Sequence, residues 1–233
     1  MKSLNLNSIK KGILKVSALK IAAQRPHYLP DFFYFYKIFY SDKFLISDFL
    51  GFRKQSPIVR ADFGDILLTI PVQHQKSNPH PPITKVKMLD QKFWRNKHLK
   101  TLTSRFSSLP FFEHYYQELV NIFLQDGKVL NQFLLDIILW QLHLVLPGKD
   151  VQICSRTGIM NLQDLRIWLG QFADFQWITY PNETFYYRNH FPKAKLVELP
   201  KVGSQTFPPS YRPSMPLLVL FFLLGPETIM YFS

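Results

Sequence analysis

The sequence predicts an α/β protein with a mostly parallel, Rossmann-like sheet and a helical insertion. Short apolar runs alternate with longer segments of helical period, the pattern of parallel strands covered by helices. Near the start, Leu19–Ala23 passes through a polar, proline-containing turn into the aromatic segment Phe32–Tyr40. Three successive helical patterns without an intervening strand then occupy residues 91–146, and these predict the insertion.

The strands are predicted from short apolar runs that end at polar residues, proline or glycine. Pro71 restricts its strand to a sheet edge or a strand end, because proline donates no ladder hydrogen bond. The predicted strands are Leu19–Ala23, Lys43–Ser47, Ile66–Val72, Lys85–Met88, Val151–Cys154, Gln176–Thr179 and Lys195–Leu199.

The helices are predicted from apolar residues three and four positions apart, or from runs that are apolar on every side. The second kind includes Val129–Leu146, which we expect to lie in the core. It also includes Met215–Leu224, which is far shorter than the ~20 residues that span a bilayer. The predicted helices are Phe32–Tyr40, Gln91–Phe106, Phe111–Gln125, Val129–Leu146, Leu162–Phe172 and Met215–Leu224.

The length and the 47% hydrophobic content predict one domain over residues 19–233, with its helical insertion at about residues 91–146. Residues 1–18 are predicted to be a basic N-terminal extension. The sequence shows no transmembrane segment. Cys154 is the only cysteine, which excludes a disulfide within the chain and a thiolate-rich zinc site. We therefore expect a reducing, cytoplasmic location and a buried Cys154 thiol.

The formal net charge of +12 predicts an anionic partner, such as a nucleotide sugar or a similar phosphate-bearing small molecule. Nucleic acid is disfavoured, because the basic and aromatic residues do not interleave in a recognisable binding module. A soluble basic surface is the alternative. No glycine-rich phosphate loop and no HxH or HExxH spacing is present. The sequence therefore names no cofactor and predicts no metal site.

Polar side chains follow the first two predicted strands where each strand ends. Gln24, Arg25, His27 and Tyr28 lie in the turn after the first strand, and Asp48 follows the second. The carboxyl ends of neighbouring parallel strands meet at one edge of a sheet, where ligands bind in such folds. We expect these five side chains to converge on one pocket. An ordinary surface turn is the alternative.

The residue types suggest roles for a transfer reaction. His27 and His98 are candidates for proton transfer with Asp48 as the orienting carboxylate, which makes these three the predicted catalytic residues. A helical histidine such as His98 is also often a purely structural group. The remaining candidates would bind substrate through amide, guanidinium, ammonium and aromatic groups, and they are Gln24, Arg25, Tyr28, Lys54, Arg60 and Trp94.

Several segments in consistent order resemble the WbqC-like family, bacterial proteins that occur mainly in surface-polysaccharide gene clusters. The family's opening pattern corresponds to Gln24–Pro30 followed by Tyr34, Phe35, Lys37 and Ile38. Its other characteristic segments correspond to Asp42, Phe44, Asp48, Phe52, Lys54, Ser56 and Arg60, and to Leu68–Val72, Trp94–Leu102, Pro110–Phe112 and Phe221–Glu227.

The resemblance implies a role in surface polysaccharide or glycolipid biosynthesis, with transfer of an acyl or aminoacyl group to an amino sugar or nucleotide sugar. Two alternatives stay open: a non-catalytic protein that binds anions or nucleic acid, and a family member without activity. The chain departs from the family pattern in the opening turn, in the acidic pair and in a late glycine-rich turn. These departures are Gln24, Arg25, His27, Phe49 and Pro181–Thr184.

Overall fold

The computed structural model describes residues 18–73, 78–89, 91–191, 194–199, 201–202 and 207–232. Apart from Ala18, the predicted basic extension lies outside the described residues. No helix within these ranges is long and apolar enough to cross a membrane. The strands are β1 (Leu19–Gln24), β2 (Lys43–Ile46), β3 (Arg60–Asp62), β4 (Leu67–Thr69), β5 (Val151–Ile153), β6 (Phe175–Thr179) and β7 (Lys195–Glu198).

The helices agree with the predicted periodic segments to within a few residues, and one helix, α6, was not predicted. They are α1 (Phe32–Tyr40), α2 (Gln91–Phe106), α3 (Phe112–Leu124), α4 (Leu130–Val145), α5 (Leu162–Leu169), α6 (Thr184–His190) and α7 (Leu217–Leu224). In α6 no side chain is buried, so its sequence carries no helical apolar period.

The predicted α/β class is confirmed by a five-stranded parallel sheet in the order β5-β2-β1-β6-β7. The chain builds outward from β1 through β2 to β5, then crosses back to β6 and continues to β7. Ala22 of β1 pairs with Phe44 of β2 on one side and with Ile178 of β6 on the other. The order of the strands therefore reverses between β1 and β6, which is the topological switch point of a doubly wound sheet.

Alternate residues of β1, the central strand, pack into two separate hydrophobic cores. Ala22 belongs to a large apolar cluster with side chains of α1, α4 and α7. Ile21 and Ala23 belong to a smaller cluster with Leu165 and Leu169 of α5. Because successive side chains of a strand point to opposite faces, helices cover both faces of the sheet.

Two of the predicted strands differ in the structure. The predicted strand Ile66–Val72 is limited to β4, which pairs antiparallel with β3, a strand too short to be recognised from the sequence. The predicted strand Lys85–Met88 is wrong, because Ile83–Lys85 forms a 3-10 turn and the following residues make only isolated bridges to Val72 and Val129. The N–H groups of Lys85 and Val86 donate within this turn, to Pro82 O and Ile83 O, and so are not available for a ladder.

Helix α4 is buried as predicted, so truncating one of its buried side chains should leave a cavity and destabilise the protein. Leu134→Ala should lower the free energy of unfolding by about 2–5 kcal/mol, because Leu134 is fully buried and its neighbours can only partly collapse. Leu124→Ala is the matched control, because Leu124 is 59% exposed. Urea denaturation of both variants makes the comparison. Equal losses would show that α4 is peripheral.

Candidate functional site

The switch point between β1 and β6 places two polar turns against each other. Gln24 ends β1 and Thr179 ends β6, and both strands run in the same direction. Connections leave these strands toward opposite faces of the sheet, which in doubly wound folds is the place of the ligand crevice. The sequence predicted a site in the turn after β1 because that turn follows the carboxyl end of a parallel strand.

Lys37 of α1 lies at the centre of this crevice. Its side chain is fully buried, and Nζ donates hydrogen bonds to Gln24 Oε1 at 3.1 Å and to Glu183 Oε2 at 2.6 Å. The backbone N–H of Tyr180 donates to the same Glu183 oxygen, and Nζ lies 4.4 Å from the centre of the Tyr180 ring. Burial lowers the pKa of Lys37, and the neighbouring Glu183 carboxylate opposes part of that shift.

Lys37 also fixes the orientation of its neighbours. An ammonium group can only donate, so the Gln24 oxygen must face Lys37 and the Gln24 amide nitrogen must face away from it. That nitrogen lies 3.4 Å from His27 Nε2. Because an amide nitrogen is a donor, Nε2 is the accepting nitrogen of the imidazole. Through the orientation of the Gln24 amide, the buried ammonium of Lys37 therefore determines which tautomer His27 adopts.

His27 is held as a neutral base. Burial, with the positive charges of Lys37 and Arg25, lowers the pKa of His27 to about 3. Its ring also packs at 5.0 Å from the ring of Tyr34. The imidazole therefore carries no proton on Nε2 at ordinary pH.

The turn that carries His27 is anchored on both sides. Tyr28 N donates to Pro57 O at 2.8 Å, and Leu217 N donates to Pro30 O at 2.9 Å. Between these anchors Leu29 has a φ of 45°, in the left-handed region that a branched residue rarely adopts. Strained backbone of this kind persists where surrounding contacts determine it. The position of His27 is accordingly fixed by the fold.

His27 also lines a cavity of about 90 Å³, the His27 cavity, and its polar lining includes Asp31, Arg60, Asp62 and Ser214. Arg60 Nε is buried and has no hydrogen-bond partner among the described residues. Burial raises the pKa of Asp31 to about 6, although backbone N–H groups of α1 oppose the shift. The cavity admits a small substituent and not a whole nucleotide sugar.

Asp48 is buried as part of a different set of contacts. It accepts hydrogen bonds from Asn131 Nδ2 and from Ser155 N, both at 2.9 Å, and from the Ser155 hydroxyl. Among the described residues its hydrogen bonds therefore go to α4 and to the end of β5, not to His27. Cys154 lies beside this group, fully buried as expected, and burial with the Asp48 charge raises the pKa of its thiol to about 12.

Tyr28, Trp94 and His98 form a buried aromatic group beneath the turn, here called the Tyr28 cluster. Tyr28 Oη lies 2.8 Å from His98 Nδ1, and the Trp94 ring lies 5.1 Å from the His98 ring. Trp94 is only 4% exposed and packs against Phe133, so it does not form the wall of an open cleft. Burial, with the charge of Lys97, lowers the pKa of His98 to about 4.

The remaining predicted binding residues divide between two places. Arg25 lies close enough to His27 to affect its pKa, and Arg60 lines the His27 cavity with it. Lys54 is exposed and lines a separate cleft with Phe52 and Val72. The structure thus brings Gln24, Arg25, His27 and Arg60 together and leaves Lys54 apart.

Sequence reasoning did not assign a role to Lys37 or Glu183. Lys37 is the only charged residue in the aromatic run of α1, and a lone charge in an apolar helix is rarely buried without a partner. That isolation was the available signal. Glu183 lies in the turn where the glycine-rich segment of the family was expected, and nothing in its local sequence indicated a buried ion pair. Within the described ranges no cluster of three or more His, Cys, Asp or Glu could hold a metal ion.

Comparison with known proteins places the chain in a family. Residues 25–183 match the WbqC-like protein family. The match covers more than half of the chain and spans the residues from the turn after β1 to Glu183, so the chain belongs to this family. No curated protein and no solved structure matches it.

The buried ion pair gives the first prediction for this site. Lys37→Met should lower the free energy of unfolding by about 3 kcal/mol or more, because it leaves Glu183 without its cation in a low-dielectric site. Lys43→Met is the control, since the Lys43–Asp150 pair is partly exposed and worth up to about 1 kcal/mol. Urea denaturation at neutral pH measures both. A loss at Lys37 no greater than that at Lys43 would contradict a structural role for the pair.

The low pKa of His98 gives a prediction for acid stability. Its folded pKa, about 4, lies below the ordinary value of 6.5, so the unfolded state takes up the proton first. The stability that neutral His98 contributes is complete above pH 6.5 and is lost as the pH falls toward 4. His98→Gln should therefore lose less stability than the wild type between pH 7 and pH 5, as measured by urea midpoints.

His27 and Asp31 also change the free energy of unfolding as the pH falls from 7 to 5, and their effects have opposite signs. The pKa of His27 is lowered in the folded state, whereas that of Asp31 is raised to about 6. Both contributions are still present in His98→Gln. The difference in pH dependence of stability between the wild type and this variant is therefore due to His98. His114→Gln is the control, because His114 is exposed. Equal slopes in the wild type and His98→Gln would refute the assignment.

Proposed function

We propose that this WbqC-like protein is a transferase that moves an acyl or aminoacyl group to the amino group of a sugar or nucleotide sugar, with His27 as the proton acceptor. The observation that carries the proposal is a neutral imidazole at the switch point, opening onto a polar cavity that also contains Arg60. The setting that the family suggests for this activity is cytoplasmic synthesis of a surface polysaccharide or glycolipid in a bacterium.

Acyl transfer to an amine requires a base at a defined place. The attacking nitrogen forms a bond to the acyl carbon and must give up a proton, while the leaving group departs from that carbon with the bonding electrons. His27 Nε2 would accept that proton, and the Gln24 amide nitrogen, 3.4 Å from Nε2, would have to release Nε2 first, so that the lone pair becomes free for the substrate amine. The His27 cavity has room for the acceptor amine and the small acyl group, and the remainder of the substrate would lie outside.

The low pKa of His27 makes it a weak base, and an anionic substrate would correct part of this. Burial is the largest cause of the low His27 pKa, and the charges of Lys37 and Arg25 lower it further. A phosphate bound by Arg25 would offset those charges and raise the His27 pKa in part. Substrate binding and activation of the base would then be coupled.

Two guanidinium groups are available for that phosphate. Arg60 Nε is buried without a partner among the described residues, and so is Arg25 Nε. Buried donors of this kind are usually satisfied, and guanidinium matches phosphate oxygens in bidentate geometry. Gln24 and Tyr28 would shape the site from β1 and the turn. Lys54 would meet only a substrate that extends into its own cleft.

The proposed division of roles predicts separate effects on binding and transfer. Arg25→Ala and Arg60→Ala should each weaken binding of a UDP-activated amino sugar by about 1.5–3 kcal/mol, the net value of a hydrogen bond to a charged group. His27→Gln should leave binding nearly unchanged and reduce transfer by about 10²–10⁴-fold, the usual contribution of a general base. Calorimetry measures binding, and mass spectrometry of the sugar after incubation with an acyl-coenzyme A measures transfer.

Arg53→Ala is the control for the arginine variants, because Arg53 is exposed and lies outside the His27 cavity. Equal effects of all three arginine variants would contradict a specific anion site. If the protein instead binds any polyanion, with affinity that falls steeply with salt and does not depend on Arg25 or Arg60, the non-catalytic alternative is correct. Binding without transfer by the wild type would indicate a family member that has lost activity.

A further inference from the structure

Helix α2 presents a basic face to solvent along its whole length. Its exposed cations, here called the α2 basic face, are Lys92, Lys97, Lys100 and Arg105. The helix contains no aspartate or glutamate, and at 1.5 Å per residue the four cations extend over about 20 Å. Asp65 forms an ion pair with Arg105 at one end. The opposite side of α2, which includes Trp94 and Leu102, is buried in the core, so the basic face is held rigidly outward.

Exposed apolar side chains lie at the N-terminal end of the same helix. Phe93 is 77% exposed, and Leu89, four residues earlier, is 46% exposed. The end of α3 is fastened to this end of α2, because Arg95 donates hydrogen bonds to the carbonyls of Phe123 and Gln125. Leu124, between those two carbonyls, is 59% exposed. Two large apolar side chains, Phe93 and Leu89, therefore lie in water at the start of the basic face.

We propose that the α2 basic face docks the protein on an anionic lipid surface, with Phe93 entering the interface between headgroups and acyl chains. The inference is independent of the transferase proposal. Each lysine or arginine near an anionic membrane contributes about 1 kcal/mol, and apolar side chains add salt-resistant binding. The combination of cations along the helix with apolar groups at one end fits such a surface.

Single-stranded nucleic acid fits this face less well. Proteins that bind single strands stack successive bases on several aromatic rings along a basic path. The α2 basic face is accompanied by one exposed aromatic side chain, Phe93, because Trp94 and Phe106 of the same helix point into the core. Phosphate contacts alone would leave Phe93 and Leu89 in water, whereas a lipid surface also removes them from it.

Co-sedimentation of the full chain with vesicles tests the proposal. Vesicles of phosphatidylcholine with phosphatidylserine should bind the protein, and vesicles of phosphatidylcholine alone should not. The double variant Lys97→Glu/Lys100→Glu should bind at least about tenfold more weakly, since it removes two favourable cations and adds two repelled charges. The matched control is Lys195→Glu/Lys201→Glu, which makes the same change of net charge at two exposed lysines elsewhere.

A fluorescent probe at Phe93 tests insertion separately. Cys154 is fully buried, so Phe93→Cys offers a single accessible thiol for an environment-sensitive dye among the described residues. The emission should shift to the blue with the phosphatidylserine vesicles only. Equal loss of binding in both lysine double variants, equal binding to the two kinds of vesicle, or no spectral shift would each overturn the proposal. Binding of a single-stranded oligonucleotide that depends on Lys97 and Lys100, without binding to vesicles, would overturn it in favour of nucleic acid.

Discussion

The buried ammonium of Lys37 is the constraint on which the rest of the site depends. Removing an ammonium ion from water costs several kcal/mol, and the cost is offset only when partners are well placed. Here the partners are Gln24 at the end of β1 and Glu183 in the turn after β6. One side chain of α1 therefore ties together the two strands on either side of the switch point. Leaving Lys37 without these partners would cost several kcal/mol, so the pairing favours the ordered arrangement of both turns.

The same constraint determines how the crevice can receive an anion. In dinucleotide-binding folds the first helix after the switch-point strand offers free N–H groups to a pyrophosphate. In this chain Asp31 already caps α1, accepting a hydrogen bond from Tyr34 N at 3.0 Å. The prolines at positions 26 and 30 also replace the glycines that a close backbone approach would need. The proposed anion would therefore depend on side chains, and Arg25 and Arg60 are the arginines near His27.

The sequence was sufficient for features that depend on local pattern. The β1–α1–β2 unit, the long helices α2 and α4 and the parallel sheet all follow from apolar period and turn residues. It was insufficient for contacts between distant segments. Lys37 and Glu183 are 146 positions apart, and Asp48 and Ser155 are 107 apart. No local sequence pattern indicates which distant polar groups will contact one another in the folded protein.

Trp94 and His98 show how a correct helix can still give an incomplete interpretation of its residues. Their four-residue spacing placed them on one face of α2, as observed, and a tryptophan beside a histidine suggested a platform for a sugar ring. The sequence did not reveal that this face packs beneath the turn after β1. Tyr28 reaches His98 across 70 positions, and the aromatic rings of α3 and α4 close over the pair. The exposed face of α2 is instead the basic one.

The Tyr28–His98 hydrogen bond also joins the two surfaces for which functions are proposed. Tyr28 follows His27 directly in the chain, and His98 follows Lys97. A buried bond of 2.8 Å between them fixes the His27 turn to the helix that carries the basic face. A buried link of this kind ties the position of the His27 turn to that of α2. If α2 rests on an anionic bilayer, the His27 cavity is held at a constant height above the headgroups. If both proposals hold, the bilayer would supply part of the positioning that transfer requires.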